Sequence, residues 1–230
     1  MIHVKGISKS YKNKIALENV NFSASQGEII ALLGVNGAGK STLMKILTGI
    51  LSPDAGTVDI LGYNVEKNPI EVKRTIGYLS EENPLYEDMY VMEYLSYVGE
   101  IYGVEPQRMK DIIEQVNLTK EYKKKIKALS RGNKQRVGIA QALLHNPKFI
   151  ILDEPHTGLD PNQRASLNVM LKDRSQDKVL LFSTHLLQDV KDICTRFVFI
   201  NDGKIVADDR VENIHTIEKI FQSITNEDNS

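Results

Sequence analysis

The sequence predicts an α/β fold in which a mostly parallel sheet carries an antiparallel β edge and a helical insert. Short, continuous apolar runs at residues 28–33, 148–152 and 178–183 are typical of strands buried on both faces of a parallel sheet. Segments with helical spacing alternate with these runs, as expected for strand–helix crossovers. From about residue 84 to residue 145 the strand signals vanish and helical spacing replaces them, which indicates an insert.

The first half of the chain reads as strands that lead into one helix. Apolar and alternating patterns predict strands at residues 2–7, 19–25 and 28–33, and further short strands at residues 57–61 and 75–79. A glycine-rich turn follows the third strand, and the pattern after it predicts a helix from about residue 40 to residue 51.

The second half begins with the insert and returns to alternation. Helical spacing at residues 91–98 and 109–116 lies within the insert. After it we expect a strand at 148–152, a helix at 161–172 that opens on proline, a strand at 178–183 and a short helix at 186–192. Strands at 197–200 and 204–207 are joined by Asn201-Asp202-Gly203, which predicts a hairpin.

The length of 230 residues suits a single domain. We expect its core to consist of residues 1–83 and 146–210, with residues 84–145 as a helical subdomain. Residues 211–230 form a C-terminal tail, and its polar end, residues 225–230, is expected to fray.

Composition excludes several classes of function. Lysine and arginine (29) nearly balance aspartate and glutamate (30), so the charge argues against nucleic acid as a partner. The single cysteine excludes an internal disulfide and a cysteine-rich metal site, and fits a reducing compartment. No secretory signal is expected, and the apolar runs are shorter than the roughly 18–20 residues of a membrane helix, so any membrane role would come through a partner.

One local charge run stands out in the predicted insert. It consists of Lys120, Lys123, Lys124, Lys125 and Lys127. Such a run is either a solvated face or a docking patch for an acidic partner, and the sequence leaves both interpretations open.

The glycine-rich turn carries the most specific motif. Residues 34–41 read G-V-N-G-A-G-K-S, which matches G-x-x-x-x-G-K-[ST], and the match lies between a buried strand and a helix, as the motif requires. Glycines let successive N–H groups point at phosphate oxygens, and the helix dipole adds to that field. Lys40 is expected to reach the β- and γ-phosphates and Ser41 to bind Mg²⁺. The motif therefore predicts a P-loop NTPase core.

Two acids and a histidine follow neighbouring buried strands. Asp153 and Glu154 end the strand at 148–152, and His185 follows the strand at 178–183. The carboxyl ends of parallel strands lie beside the phosphate loop, so we expect Asp153 to hold Mg²⁺ and Glu154 to polarise the attacking water. His185 is a candidate sensor of the γ-phosphate. The alternatives are that the acids only cap the next turn and that His185 is structural.

These motifs together resemble the ATP-binding subunit of ABC transporters. The discriminating segment is residues 129–136, L-S-R-G-N-K-Q-R, which resembles the family signature LSGGQ-x-Q-R and precedes the acidic strand. Other P-loop classes, including kinases and GTPases, lack it. The resemblance covers residues 2 to about 209, with the motifs in the family's order.

The resemblance implies a role for each matching residue. Tyr11 resembles the aromatic that stacks on adenine, although a buried core tyrosine remains the alternative. Asp153 and Glu154 resemble the metal acid and the catalytic base, and His185 the switch histidine. The implied ATP-binding loop contains Gly34, Asn36, Gly37, Ala38, Gly39, Lys40, Ser41 and Thr42.

The resemblance also implies a head-to-tail dimer, either a homodimer or a heterodimer with a related ATPase subunit. Ser130 and the Gly132 amide of one copy would bind the γ-phosphate of the ATP on the other copy's loop, at a helix N-terminus. Asp160, in a segment resembling the D-loop, would lie at the dimer seam. ATP would close the seam and hydrolysis would open it.

The chain departs from the family pattern at several positions. Glu81 stands where a glutamine is usual, and it would still coordinate Mg²⁺ while adding negative charge near the phosphates. Ser80 replaces a proline, Arg131 a signature glycine and Asn133 a glutamine. His156 stands where a small residue is common. None of these removes a group essential to hydrolysis.

The departures suggest an export-type subunit of the drug, polysaccharide or gliding-motility kind, with residues 76–95 most similar to the gliding-motility type. The implied function is ATP hydrolysis that drives a separate multi-span membrane permease, from a peripheral position on the cytoplasmic face of the plasma membrane. The alternative is a soluble ABC-type ATPase that assembles or remodels another complex, such as one in iron–sulfur assembly.

Overall fold

The structure, a computed structural model, describes residues 1–12 and 14–213. Its strands are β1 (Ile2–Tyr11), β2 (Lys14–Ala24), β3 (Ile29–Leu33), β4 (Ala55–Ile60), β5 (Tyr63–Asn64), β6 (Ile76–Leu79), β7 (Phe149–Leu152), β8 (Val179–Thr184), β9 (Arg196–Asn201) and β10 (Lys204–Arg210). Its α-helices are α1 (Lys40–Leu47), α2 (Pro69–Thr75), α3 (Val91–Tyr102), α4 (Pro106–Gln115), α5 (Arg131–Leu143), α6 (Pro161–Arg174) and α7 (Leu187–Ile193). Short 3₁₀ turns lie at Ile126–Ala128, Ser175–Asp177 and Val211–Asn213.

The main sheet has six strands in the order β10-β9-β3-β8-β7-β6. The pairs from β9 to β6 are parallel, and β10 is antiparallel at the edge. The apolar runs that predicted a parallel sheet are its central strands, and the predicted hairpin is β9 and β10. The predicted α/β class is therefore confirmed.

Both faces of the main sheet are covered, which explains why its strands are apolar without alternation. In β3, Ile29, Ala31 and Leu33 join the cluster beneath the helices of the insert and α6–α7. Ile30 and Leu32 join a second cluster, which includes residues of β1 and α1. The apolar side chains on both faces are thus removed from water, and this burial stabilises the fold by about 25 cal/mol per Å² of apolar surface.

A second, fully antiparallel sheet has the order β2-β1-β4-β5. Its buried residues Ile2, Val4 and Val58 pack in the same cluster as Leu43 and Met44 of α1. The sheet therefore lies over the face of the main sheet that carries α1, and it is the antiparallel β part that the sequence predicted.

Several element bounds differ from the sequence predictions. The helix predicted for residues 40–51 ends at Leu47, because Gly49 adopts the left-handed φ of 68° that favours glycine and stops a helix. The first two strands are longer than predicted, reaching Tyr11 and starting at Lys14, because their polar outer faces weaken the pattern. The short strand β5 and helix α2 were not predicted, although Pro69 at the start of α2 is a helix-start signal.

The segment predicted to be helical carries α3, α4 and α5 in the chain between β6 and β7. Of the predicted tail, Val211–Asn213 forms a 3₁₀ turn, and residues 214–230, including the end expected to fray, lie outside the described residues. In the part of the chain that the structure describes, no helix has the length and apolar character needed to cross a membrane.

Candidate active site

The glycine-rich loop connects β3 to α1 and lies close against neighbouring backbone. A Cβ at Gly34 would lie 2.3 Å from the Ile200 carbonyl oxygen, and one at Gly39 would lie 2.5 Å from the Ala16 carbonyl oxygen. Gly39 also adopts a φ of 111° immediately before the first turn of α1. Side chains are therefore excluded at both positions, and the loop can bend so that its N–H groups face inward.

Lys40 is held at the centre of this loop. Its Nζ donates to the Gly34 carbonyl oxygen at 2.7 Å and to the Val35 carbonyl oxygen at 3.1 Å. The residue is 8% exposed. Burial lowers the pKa of Lys40, and the carboxylates of Glu154, Asp153 and Glu81 offset part of that shift. The buried Lys40 ammonium group is thus influenced electrostatically by the three carboxylates that the sequence assigned to the same site.

An open cleft of about 400 Å³ lies in front of the loop, a size suited to a small ligand. The predicted site residues that line it are Tyr11, Asn36, Gly37, Gly39, Lys40, Ser41, Thr42, Glu81, Asp153 and Glu154. Tyr11 is 48% exposed, so the alternative of a buried core tyrosine is wrong. Lys14 and Ala16 also line the cleft, and no motif in the sequence pointed to them.

Ser183 fixes the two acids relative to each other. Its hydroxyl donates to Asp153 Oδ1 at 2.5 Å and accepts from the Glu154 N–H at 2.8 Å. Asp153 is 2% exposed, and its own N–H donates to the Leu79 carbonyl oxygen at 2.8 Å. Sequence reasoning placed Ser183 only in a strand, but a polar residue that ends an otherwise apolar strand beside a predicted acid pair is a usable signal.

Glu154 has a strained backbone and a histidine partner. Its φ of 50° is uncommon for a residue with a side chain, and such strain tends to be retained at functional sites. His185 Nδ1 lies 3.1 Å from Glu154 Oε1 and 3.2 Å from Oε2. The His185 side chain is 58% exposed and the Glu154 side chain 14% exposed. The exposed ring of His185 thus adjoins Glu154, which lines the cleft.

The signature segment forms the start of α5. Ser130 is its N-cap, and the Ser130 hydroxyl accepts from the Asn133 N–H at 3.3 Å. A Cβ at Gly132 would lie 2.7 Å from Gln163 Oε1 and 2.9 Å from the Gly158 carbonyl oxygen. Glycine at 132 therefore permits the start of α5 to lie directly against the loop that leads into α6.

Asp160 starts α6. Its carboxylate accepts from the Gln163 N–H at 2.9 Å, and Gln163 Oε1 accepts from the Asp160 N–H at 3.3 Å. This reciprocal capping box gives Asp160 a structural role at a helix start, and it sets the position of the loop beside Gly132.

Six of the sequence-predicted residues do not line the cleft. They are Gly34, Ala38, Ser130, Gly132, Asp160 and His185. Gly34 and Ala38 belong to the loop itself, and His185 reaches the site through Glu154. Ser130, Gly132 and Asp160 form a separate group, because the starts of α5 and α6 adjoin each other.

Two further residues connect this group to the cleft, and the sequence did not single them out for it. Asn83 Nδ2 donates to the Lys134 carbonyl oxygen at 2.9 Å, which joins the loop after Glu81 to α5. Gln135 Nε2 donates to the Glu154 carbonyl oxygen at 3.3 Å. The start of α5 is thereby tied to both the Glu81 loop and the strained Glu154.

A strand–glycine loop–helix cradle with a buried lysine, beside acids at the ends of adjacent parallel strands, defines a P-loop nucleotide-hydrolysing protein. The family model described as "ABC transporter" matches residues 17–157. The chain therefore belongs to the ABC transporter family of ATP-binding proteins, as the resemblance of its motifs implied.

Known relatives agree with this assignment. YxlF of Bacillus subtilis (strain 168), an uncharacterized ABC transporter ATP-binding protein, is 38% identical over 209 residues, which cover 89% of this chain and 69% of that protein. SrtF of Streptococcus pyogenes, a lantibiotic transport ATP-binding protein, is 34% identical, and the match covers 97% of this chain and 96% of SrtF. LnrL of Bacillus subtilis (strain 168), a linearmycin resistance ATP-binding protein, is 32% identical, and the match covers 90% of this chain and 68% of LnrL.

Solved structures show the same fold. An ATP-binding subunit of an ABC transporter matches with a TM-score of 0.90 and 29% identity, over 98% of this chain and 99% of that chain. The ATP-binding cassette MJ0796, in a dimeric post-hydrolysis state with ADP and Pi, matches with a TM-score of 0.86 and 25% identity, over 92% and 99%. The chain is thus an ATP-binding subunit of an ABC transporter and an ATPase.

Proposed function

We propose that this ATPase acts as a head-to-tail dimer and drives a separate multi-span membrane permease, as an exporter bound to the cytoplasmic face of the plasma membrane. The main support for the proposal is that, among the described residues, the elements suited to phosphate binding lie in two separate places. Lys40 lines the cleft, whereas Ser130 and Gly132 do not. A second copy that presents its α5 start to the cleft would complete the enclosure.

The charges at the two elements favour such an arrangement. The Ser130 helix begins with Arg131, and no acid lies in its first turn. A helix N-terminus carries partial positive charge and exposed N–H groups, so it suits the γ-phosphate of an ATP bound to another copy. The partner copy is either identical or a related ATPase subunit. Asp160, which adjoins the same helix start, would lie at the seam between the copies.

The chain's own residues divide the chemistry of hydrolysis. Lys40 and the loop N–H groups bind the phosphates and neutralise charge that develops on them. Glu154 accepts the proton of the attacking water, which requires a carboxylate beside the γ-phosphate position. His185 contacts Glu154 through Nδ1 and would hold that carboxylate beside the γ-phosphate position. Tyr11 is exposed at the cleft, where its ring can stack on adenine.

The residues present fit a magnesium ion. Ser41, Glu81 and Asp153 offer only oxygen atoms, which Mg²⁺ prefers, and all three line the cleft. Asp153 Oδ1 accepts from Ser183, which leaves Oδ2 free to face the cleft through water. Ser41 would bind the ion directly, and Asp153 and Glu81 would hold its water shell. When bound, the ion would neutralise phosphate charge in the transition state.

A groove between the core and the insert suits a permease segment. Ile50, Lys73, Val98 and Tyr102 line it, and Ile50 is 60% exposed. Ile50 and Tyr102 are both exposed large hydrophobic residues in one concave surface, which favours contact with another protein. The names of SrtF and LnrL, which concern lantibiotic transport and linearmycin resistance, support export. The gliding-motility type stays a prediction.

Replacement of the proposed base tests the function. Glu154→Gln keeps the size of the side chain but cannot take a proton, so we expect hydrolysis at saturating ATP to fall by at least about 100-fold with ATP binding retained. Phosphate release measures the rate, and calorimetry measures binding. Glu82→Gln removes an exposed acid that does not line the cleft and serves as the control. Turnover near that of the control in Glu154→Gln would refute the assignment.

A further inference from the structure

A buried polar cluster lies behind the candidate active site, and its central residue is one of the departures from the family pattern. His156, Asn168, Asp189 and Thr184 are 2%, 9%, 3% and 1% exposed, respectively. Polar groups at such depth are costly unless they are paired. The contacts among these four residues therefore have to offset the cost of burying them.

His156 touches three elements at once. Its Nε2 donates to Asn168 Oδ1 in α6 at 2.7 Å, and its Nδ1 lies 3.2 Å from Asp189 Oδ2 in α7. Among the residues that the structure describes, Nδ1 has no hydrogen-bond partner of good geometry, so its contact with Asp189 is a close approach rather than an aligned hydrogen bond. The ring also packs edge-to-face on Phe182 of β8, with centroids 5.8 Å apart.

Asp189 connects His156 to the segment around His185 in the candidate active site. Burial by itself raises the pKa of Asp189, but His156, Thr184 and Arg164 outweigh it and hold the pKa below its ordinary value, so the group is a carboxylate. Its Oδ2 accepts from the Thr184 hydroxyl at 2.9 Å, and the same hydroxyl accepts from the Leu186 N–H at 3.1 Å. Thr184 and Leu186 flank His185, so Asp189 fixes the backbone that presents His185 to Glu154.

The backbone of His156 contacts the segment that leads into α6. The His156 carbonyl oxygen accepts from the Leu159 N–H at 3.2 Å, directly before Asp160. Asn168, eight residues further along α6, is bound by the imidazole itself. One ring therefore connects the loop that follows Glu154, the helix that begins at Asp160 and the segment that carries His185.

We infer that His156 is a positioning residue for hydrolysis: through Asp189 and Thr184 it holds His185 in register with Glu154, and it makes the Asp160 loop and the His185 loop move as one unit. This inference rests on the proposed function, because it assumes that Glu154 and His185 act on the phosphate. It does not involve ATP binding, because no member of the cluster lines the cleft in the described chain.

Two conservative substitutions separate the two contacts of the ring. His156→Asn places its amide nitrogen where Nδ1 lies and can still face Asp189, whereas His156→Gln places its amide nitrogen near Nε2 and can still reach Asn168. If the tie to Asp189 matters, His156→Gln should lower kcat by about tenfold, a size typical of small misplacements near reacting groups. His156→Asn should keep kcat within about threefold of the unchanged protein, a difference of less than about 0.7 kcal/mol.

The KM for ATP distinguishes positioning from a general loss of structure. We expect it to change by less than about twofold in both variants, since the phosphate loop is untouched. Ser175→Ala is the matched control, because it removes a partly buried hydrogen bond, Ser175 Oγ to the Lys172 carbonyl oxygen, at the far end of the same helix α6. It should lower the melting temperature and leave kcat unchanged.

The outcomes separate this inference from the proposed function. Equal loss of kcat in His156→Asn and His156→Gln, or unchanged kcat in His156→Gln, would overturn the inference. Wild-type turnover in Glu154→Gln would instead overturn the proposed function, and this inference with it. Loss of turnover in Glu154→Gln together with a loss in His156→Gln that His156→Asn restores would support both.

Discussion

At the scale of single residues, the site depends on a buried lysine whose partners are carbonyl oxygens of its own loop. Lys40 donates to Gly34 and Val35 and is nearly covered by protein. Burial of a cation is unfavourable unless it is compensated, and the nearby carboxylates provide part of that compensation. Triphosphate oxygens at the same loop would provide the rest.

Lys40→Ala is the direct test of this residue. The change removes a charge-assisted contact worth about 2 kcal/mol, so we expect the Kd for ATP to rise roughly 30-fold. Isothermal titration calorimetry measures it, with Lys45→Ala in the last turn of α1 as the control because Lys45 does not line the cleft. Unchanged affinity in Lys40→Ala would reject the phosphate-binding role.

Sequence reasoning at this scale succeeds where a motif defines a backbone shape. Residues 34–41 predicted the loop, and Gly34 and Gly39 lie where any Cβ would meet backbone oxygen. The same reasoning does not predict the roles of Ser183 and Asp189, because these roles come from contacts with Asp153 and His156 in a distant segment of the chain. A polar residue at the end of an apolar strand can mark Ser183 as unusual, but the pattern does not identify its partner.

At the scale of elements, the start of α5 is the feature that the proposed dimer needs most. Ser130 caps the helix, and Asn83 and Gln135 tie it to the Glu81 loop and to Glu154. A helix held in this way keeps a fixed orientation relative to the cleft of its own copy. Any partner phosphate that it binds would therefore be sensed at the Glu154 backbone.

Ser130→Arg tests this element. The long side chain would occupy the space in front of the helix start, so we expect ATP binding in the cleft to be retained and ATPase activity to fall by at least about tenfold. Ser130→Asp keeps a good helix cap but repels phosphate, and should lose activity as well. Gln107→Arg, at an exposed position of α4, introduces the same side chain away from α5 and should not. Full activity in both Ser130 variants would contradict the dimer.

The elements themselves were largely predictable because the main sheet is buried on both faces, which leaves unbroken apolar runs such as β3 and β8. Prediction was poorest for the antiparallel sheet. There the first part of β2, from Lys14 to Glu18, does not alternate regularly between buried and exposed positions, and β5 has only two residues, so the pattern is weak. Helix α2 was missed because it buries a single residue, Val72, and shows no apolar stripe.

At the scale of the whole molecule, one complete site requires two copies of the chain in the proposed dimer. The cleft of each chain holds the phosphate loop, the proposed metal-binding oxygens and the proposed base, while the α5 start lies outside it. The fold agrees closely with MJ0796, whose dimeric state has been solved. Alternation between a closed ATP-bound seam and an open one would give the motion that a permease can use.

The mass of the Glu154→Gln protein in solution tests this claim most directly. With hydrolysis blocked, ATP should remain in the seam, and we expect light scattering to give twice the 25.9 kDa of one chain when ATP is present. The mass should return to that of one chain when ATP is omitted or when Ser130→Asp is added. A Glu154→Gln protein that binds ATP and stays at the mass of one chain would contradict the account.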